Sequence, residues 1–320
     1  AGMPVPFKQP VAQVPMKAPN GTVIWANIYT TDNYGFYSFT PKASITPQWL
    51  NTESPAPTSL VARYGVQLKG SKLYGVYADM ASAEYGPEYA SPYRFAFNTT
   101  DWTAIDDETG LFPSASCRLI AQETAMAADG TVYGEFYKED LSGFEWGTVD
   151  YETEQFTSFG DAERKYVAIG ITSKNELYGV AADGNLYKIS TVDGSETLIG
   201  ATGLSLTVSD EYGSQVYSQT GEIDQRTDIF YWAAVDAKAQ TGLYTIDLQT
   251  GKATKIGDFG STTGMVGMVI PQEIVDDAAP GRAENLKVSF SGESLSGTLS
   301  FKAPTKTYGG STLTGNLTYS

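Results

Sequence analysis

Carboxylates are the side chains of this sequence with the clearest capacity for chemistry, because acid–base catalysis on a sugar needs two of them at a defined separation. The densest groups are Asp106-Asp107-Glu108 and the trio Asp150, Glu152 and Glu154. Most acids fall in predicted turns or outer strands, and Glu123 is the main acid of a predicted inner strand. These carboxylates support one of two hypotheses for the function, a carbohydrate-active enzyme similar to glycoside hydrolases. It would use carboxylates at the central channel of the fold predicted below.

Other common chemistries lack the residues that they need. The chain contains no histidine and one cysteine, Cys117, interpreted as a buried thiol at the start of an inner strand. Ser-His-Asp and Cys-His catalysis, His-ligated zinc and an internal disulfide are therefore excluded. Asp129-Gly130, Asp183-Gly184 and Asp193-Gly194 fit hairpin turns better than calcium loops. No phosphate-binding glycine loop occurs. The sequence predicts no cofactor, no metal and no catalytic residue.

Aromatic residues in predicted loops are the candidate ligand-binding residues. Two insertions, Ala78–Pro92 and Tyr137–Glu145, are rich in them. Tyr and Trp combine an apolar face with a polar tip, which suits stacking on a sugar ring or contact with a peptide. The alternative is that these rings only anchor their loops to the sheet beneath. The predicted contact residues are Tyr34, Tyr85, Tyr89, Tyr93, Tyr137 and Trp146.

A repeated four-strand pattern would position these loops on one face. Its clearest copy is Asn175–Gly203, in which short apolar strands are joined by tight turns. Its central strand recurs at intervals of about 50 residues, a spacing typical of propeller blades. The copies contain Ile24, Tyr74, Tyr133, Tyr178 and Tyr231. Five copies predict five blades.

Ring closure is predicted from the first and last copies. An apolar strand precedes the later copies but not Ile24, and Met265–Ile270 has no hairpin after it. The chain is therefore predicted to be all-β, with a five-bladed β-propeller over residues 20–271 that this C-terminal strand closes. A sandwich is the alternative fold. In blade five, the sequence predicts the inner strand at Gln215–Ser218 and a solvated loop over Thr220–Thr227.

The two ends of the sequence differ from the repeats. Residues 1–19 contain five prolines and are predicted to form an extended leader. Residues 272–279 are interpreted as a polar linker. In residues 280–320, Leu286–Phe290 and Leu295–Phe301 alternate as strands do, and Leu317–Tyr319 begins a third strand.

The segment 280–320 resembles the start of a fibronectin type III domain. Pro280-Gly281 leads into its first strand, and Lys306–Gly315 is similar to the variant in secreted proteins of gut Bacteroidetes. Phe301 stands where such domains commonly have a core Trp, and three strands are fewer than the seven of a whole sandwich. The repeats also resemble the propellers of bacterial surface proteins, through their LYG…DGxLYxI…TG pattern. This resemblance implies a secreted or cell-surface protein. Because the first residue is Ala, we expect that any signal peptide has already been removed.

Net charge limits the partners. The formal charge is −16, which repels the phosphates of nucleic acids. No apolar run is long enough to cross a membrane as a helix. We expect a monomeric, non-catalytic extracellular binding or adhesion protein, whose glycan or peptide ligand meets the aromatic loop face. The open edge of the C-terminal segment offers a further protein contact.

Overall fold

The computed structural model describes residues 22–30, 33, 35–51, 61–79, 91–105, 111–113, 117–206, 219–271, 284–290, 297–306 and 312–314. The chain divides into two compact units. The larger unit spans Pro6–Gln272, and the smaller one includes Glu273–Ser320. All the described strands of the larger unit belong to five antiparallel sheets.

Short strands, rich in β-branched and aromatic residues, build the larger unit. In chain order they are β1 (Ile24–Ile28), β2 (Gly35–Phe39), β3 (Gln48–Trp49), β4 (Val61–Lys69), β5 (Lys72–Asp79), β6 (Ser91–Asn98), β7 (Thr103–Ala104), β8 (Leu111–Pro113), β9 (Ala121–Met126), β10 (Val132–Tyr137), β11 (Phe144–Asp150), β12 (Gln155–Asp161), β13 (Tyr166–Ile171), β14 (Leu177–Ala181), β15 (Asn185–Ile189), β16 (Glu196–Ala201), β17 (Thr220–Asp224), β18 (Ile229–Val235), β19 (Thr241–Ile246), β20 (Ala253–Asp258) and β21 (Met265–Val269).

Each sheet is one blade of a five-bladed β-propeller. From the inner to the outer strand, blade 1 is β21-β1-β2-β3, and blade 2 is β4-β5-β6-β7 with β8 also paired to β6. Blades 3, 4 and 5 are β9-β10-β11-β12, β13-β14-β15-β16 and β17-β18-β19-β20. The inner strands β4, β9, β13, β17 and β21 pack against one another around the axis. The predicted fold of the repeats is confirmed.

The ring is closed as the sequence predicts. β21 pairs antiparallel with β1, and Trp25, Asn27 and Ile28 lie opposite Val269, Val266 and Met265. The last strand of the propeller therefore completes the first blade. Closure removes two exposed sheet edges at once, which stabilises the ring against pairing with other chains.

Blade 5 differs from its prediction. The inner strand is β17, which is buried throughout, whereas the sequence predicts a solvated loop over Thr220–Thr227. The predicted strand Gln215–Ser218 lies outside the described residues. The two acids of β17 make it resemble a loop, but Asp224 accepts hydrogen bonds from Arg226 Nη2 at 2.7 Å and Thr22 Oγ1 at 3.0 Å. Paired carboxylates can be buried, so the prediction for this segment is wrong.

The start of blade 3 also differs. Residues Cys117–Leu119 form a short 3-10 helix, and the inner strand β9 begins later, at Ala121. Cys117 therefore precedes the inner strand instead of beginning it.

Apolar faces of neighbouring blades form the core. Ile24, Tyr231 and Met268 pack together where blades 5 and 1 meet. Trp146, Tyr166 and Leu177 do so between blades 3 and 4. Burial of each large apolar side chain contributes about 1.5–3 kcal/mol, so the interfaces between blades are the main source of stability.

The Asp-Gly pairs lie in turns. Gly184 has a φ of +82°, which glycine adopts without strain, and Asp183 Oδ1 accepts a hydrogen bond from the amide of Asn185 at 2.9 Å. Asp129 and Asp193 accept the equivalent bond two residues on. These carboxylates stabilise their own turns, as the turn interpretation predicts.

The smaller unit contains a two-stranded sheet, β22 (Glu284–Phe290) and β23 (Gly297–Lys302). Val288 lies opposite Leu299, and both are more than half exposed. The predicted third strand, Leu317–Tyr319, lies outside the described residues. Among the described residues, no helix is long and apolar enough to cross a membrane.

Candidate functional site

The candidate site is built on the hairpin β10–β11 of blade 3. Glu145 lies opposite Phe136 on β10 and Asp161 on β12, whereas Phe144 lies opposite Tyr137. Residues opposed across antiparallel strands share a face, and successive residues alternate between faces. Glu145 and Asp161 therefore occupy one face of the blade, and the Tyr137–Phe144 pair occupies the other.

An arginine–carboxylate pair forms the base of the site. Arg118 Nε lies 3.0 Å from Glu145 Oε1; the arginine side chain is 45% exposed and the glutamate side chain 6%. The guanidinium lies over the ring of Phe156, 5.6 Å from its centroid. Within the described residues, Glu145 Oε1 accepts no hydrogen bond of good geometry. The pair is therefore held mainly by charge.

A second, exposed ion pair borders the first. Lys138 Nζ lies 2.8 Å from Asp161 Oδ1, and the Asp161 side chain is 78% exposed. The hydrogen bond to Asp161 raises the pKa of Lys138. Hydrogen bonds from Ser142 lower the pKa of Asp140 in the same loop, so this carboxylate stays ionised at neutral pH.

These side chains surround an open cleft of about 400 Å³. Its lining consists entirely of charged residues, and carboxylates outnumber cations by four to two: Arg118, Lys138, Glu139, Asp140, Glu145 and Asp161. Such a cleft can donate to and accept from a polar ligand. In the described part of the chain, no group of acidic, histidine or cysteine residues could hold a metal ion.

The predicted aromatic residues separate into three groups. Tyr34, Tyr85 and Tyr89 lie outside the described residues. Tyr93 on β6 is half-buried, in register with Tyr77 and Pro113. Tyr137 is half-buried, with its ring centroid 4.7 Å from that of Phe144. The structure does not bring these described tyrosines into the cleft lining.

Trp146 requires a correction. It lies on β11 and is fully buried, so its ring is not available to a ligand on the loop face. The ring packs edge-on against Tyr166 with centroids 4.9 Å apart, and Nε1 donates to Glu196 Oε1 at 3.2 Å. The residue holds blades 3 and 4 together. The sequence analysis placed Trp146 directly after the insertion Tyr137–Glu145, whereas the strand already begins at Phe144.

A second group of carboxylates lies around the central channel. Glu123 on β9 and Glu222 on β17 are buried, and their mutual repulsion adds to burial in raising the pKa of Glu123 well above its ordinary value. Burial also raises the pKa of Glu222. Each carboxylate accepts a bond from the next amide in its strand, Thr124 at 3.1 Å and Ile223 at 2.8 Å. The sequence analysis identified Glu123 and missed Glu222.

Glu135 extends this buried group. It lies opposite Glu123 in the β9–β10 register, and its Oε2 accepts from the amide of Tyr166 at 2.8 Å. Burial is the main cause of its raised pKa. Just after the end of β17, Gln225 Nε2 donates to the carbonyl oxygens of Met126 and Ile171, at 2.7 and 3.2 Å. This side chain therefore links blades 3, 4 and 5. The channel carboxyls thus sit in a packed, hydrogen-bonded interior.

Fold and site together define a five-bladed β-propeller with an ionic cleft on blade 3. No protein-family model matches the chain, and no curated protein matches it.

Solved structures do match. One is a structural genomics protein of unknown function from Bacteroides thetaiotaomicron, with TM-score 0.42 and 11% identity over 75% of this chain and 66% of that one. A quinonprotein alcohol dehydrogenase-like protein from the same organism has TM-score 0.41 and 11% identity over 77% and 57%. A puromycin hydrolase has TM-score 0.36 and 12% identity over 88% and 50%. This chain therefore spans half to two thirds of their lengths, and these likenesses carry no argument about activity.

Proposed function

We propose that the protein is a non-catalytic extracellular or cell-surface binding protein, and that its ligand occupies the blade 3 cleft. The observation that supports this is the open, wholly charged cleft on a rigid scaffold, where binding residues usually lie. Half-buried Tyr137 and buried Trp146 contribute to packing more than to a stacking platform. The ligand is therefore expected to be held by charge and hydrogen bonds, as a polar peptide or glycan would be.

The smaller unit fits a role as a spacer. Its described strands β22 and β23 leave Val288 and Leu299 exposed on one face. We propose that this sheet belongs to a fibronectin type III-like module, following the resemblance of segment 280–320. The same proposal includes a location outside the cell and a monomeric state. It also includes no binding of nucleic acid, because the charge of −16 repels phosphates.

A carbohydrate-active enzyme is the second candidate, because Glu135 and Glu222 both lie close enough to Glu123 to raise its pKa. Their burial weighs against it, since a hydrolase must admit a sugar between two carboxyl groups. Hydrolysis of a polysaccharide by the protein, lost in Glu123→Gln, would favour this candidate over the binding protein.

The proposed function is tested by a screen of the purified protein against oligosaccharides and peptides, followed by titration of each hit. The double variant Lys138→Met/Asp161→Asn removes the exposed ion pair of the cleft without changing the net charge. We expect it to weaken binding at least tenfold.

The matched control is Lys188→Met/Glu176→Gln, which removes a similarly exposed pair on blade 4, 2.7 Å apart. It should leave affinity unchanged. If both double variants bind with the affinity of the wild-type protein, the ligand does not bind in the cleft.

A further inference from the structure

We infer that Glu123 and Glu135 share one proton at neutral pH, and that this buried pair is a proton-binding site at the contact between blades 3 and 4. The site goes beyond the proposed function, because it is separate from the cleft. Glu135 lies opposite Trp146 in the β10–β11 register, so the pair occupies the face of blade 3 that does not carry Glu145.

The position of the two residues is the first argument. Glu123 on β9 lies directly opposite Glu135 on β10, so their side chains share one face of the sheet. Residues opposed in this way have Cβ atoms about 4.5–5.5 Å apart, within reach of a hydrogen bond between two carboxyl groups. Both residues are fully buried. Two negative charges so close together would repel each other, and one proton between them removes that repulsion.

The hydrogen bonds of the two carboxyls are the second argument. In each of them, one oxygen accepts from a main-chain amide: Glu123 Oε1 from Thr124 at 3.1 Å, and Glu135 Oε2 from Tyr166 at 2.8 Å. The other two oxygens, Glu123 Oε2 and Glu135 Oε1, are buried and accept no hydrogen bond of good geometry within the described residues. A carboxyl group is a donor only when it is protonated. A shared proton therefore supplies the bond that both oxygens need.

The third carboxyl of the channel, Glu222, has different surroundings. Burial raises its pKa, and hydrogen bonds with the main chain of Ile223, Met126 and Ile171 oppose that shift. The main chain therefore satisfies Glu222, which leaves Glu123 and Glu135 as the pair that needs a proton.

Neighbouring carboxylates favour the bound proton. Burial is the main cause of the raised pKa of Glu123 and Glu135. Repulsion from Glu222 on β17 adds to it for Glu123, and repulsion from Glu196 on β16 adds to it for Glu135. Loss of the proton would add negative charge to a region that already contains these two acids.

The other groups that face the pair are a hydroxyl, a cation and two phenols. A hydrogen bond with Thr220 on β17 opposes the shift of Glu123, and the charge of Lys165, just before β13, opposes that of Glu135 with a smaller effect than Glu196. Burial raises the pKa of Tyr151 and Tyr166, so both phenols stay neutral.

The bound proton should stabilise the contact between the two blades. Glu135 Oε2 holds the amide of Tyr166, the first residue of β13, and the ring of Tyr166 packs against Trp146. A pair with a raised folded-state pKa stabilises the fold at low pH, and this contribution is lost as pH rises through the folded value. The midpoint of urea unfolding should therefore fall with rising pH in the wild-type protein, and less so in Glu135→Gln.

Infrared difference spectra of the whole protein test the inference, because a protonated carboxyl group and a carboxylate absorb at different frequencies. At pH 7, Glu123→Gln should remove one protonated-carboxyl band, and Glu135→Gln should remove the same band. In each variant, the new amide donates to the remaining carboxylate in place of the proton. The variant with both substitutions should lose no more than either single variant.

Glu222→Gln is the matched control, because it removes a buried carboxyl of the same channel that lies outside the pair. Any loss that it causes should add to the loss of Glu123→Gln when these two substitutions are combined. Thermal unfolding checks that each variant is folded. If Glu123→Gln or Glu135→Gln does not fold, titration of wild-type protein labelled with carbon-13 on its glutamate carboxyls decides instead: two signals should shift together, above the ordinary range of glutamate.

Three results would overturn the inference. Additive losses in Glu123→Gln and Glu135→Gln would mean that each carboxyl holds its own proton. No loss in either variant, or two labelled signals that titrate in the ordinary range, would mean that both are ionised. An equal fall of the urea midpoint in the wild-type protein and in Glu135→Gln would show that the proton does not stabilise the contact between blades.

Discussion

The blade 3 cleft and the central channel both concentrate carboxylates, but the surroundings of these carboxylates differ. In the cleft, Glu145 and Asp161 each face a cation and the site opens to solvent. In the channel, Glu123 and Glu222 face each other and backbone amides, and burial raises the pKa of both. A carboxylate beside a cation and open to solvent suits the binding of a ligand, whereas a raised pKa favours the neutral carboxyl, which acts as a hydrogen-bonding part of a core.

The contrast also explains why acidic residues alone do not locate a site. The five-fold arrangement brings Glu123, Glu135 and Glu222 together from three strands, and burial then raises the pKa of each. The cleft has fewer buried acids, and two of its carboxylates lie beside cations. Environment, and not residue type, separates the two regions.

The largest difference in stability between the two regions should appear when a lysine replaces an acidic residue in each. Glu123→Lys buries a charge among apolar and neutral groups, so the free energy of unfolding should fall by about 3–5 kcal/mol. Asp161→Lys makes the same kind of charge reversal at an exposed side chain, and the change should stay within about 0.5 kcal/mol. Urea unfolding of the two variants measures the difference. Similar losses in both would mean that the channel is as open to solvent as the cleft.

The pH dependence of stability should separate the regions next. The folded-state pKa of Glu123 and Glu222 is raised, so their contribution to stability is complete below the unfolded value near 4.5 and is lost as pH rises through the folded value. The folded-state pKa of Asp140 is lowered, so its contribution acts in the opposite direction and is lost as pH falls.

The double variant Glu123→Gln/Glu222→Gln isolates the channel contribution. Its stability relative to the wild-type protein should rise from pH 4 to pH 8, by about 1.4 kcal/mol for each unit of raised pKa that is removed. Urea unfolding across this range gives the difference curve. A flat curve would show that these carboxyls are ionised in the folded protein, against the interpretation of the channel as a neutral interior.

A smaller effect should distinguish the two ion pairs within the cleft. Arg118→Met leaves the 6% exposed Glu145 without its cation and should cost about 1–2 kcal/mol at neutral pH. Lys138→Met breaks a pair between exposed groups, and its melting temperature should match that of the wild-type protein. Calorimetric scans of both variants provide the measurement. Equal melting temperatures for the two variants would show that Glu145 is well solvated.

Much of the fold could be predicted from the sequence, because each blade repeats local signals. Alternating apolar residues and Asp-Gly turns mark the hairpins, and the unpaired strand at Met265–Ile270 predicts closure with β1. The strand β17 could not be predicted in the same way. Its two acids suggest a solvated segment. Asp224 can be buried because Arg226 and Thr22 donate hydrogen bonds to it, and Thr22 is distant in the sequence.

The candidate site was much less predictable. Loop aromatics were expected to form it, yet Trp146 is buried between blades. Four of the six residues that line the cleft lie within the predicted insertion Tyr137–Glu145, but its aromatic residues were taken as the contacts. The other two, Arg118 and Asp161, lie outside the insertion and carry no motif. Their charges were visible, but their pairing depends on how the 3-10 helix before β9 meets the hairpin β10–β11.

The sequence by itself determined the repeat, the number of blades and the absence of histidine chemistry, because these depend on local periodicity and composition. Only the tertiary structure decided which carboxyls have a raised pKa and which face cations. That distinction depends on burial and on neighbours from other blades, such as Glu222 beside Glu123, and no local pattern in the chain encodes it.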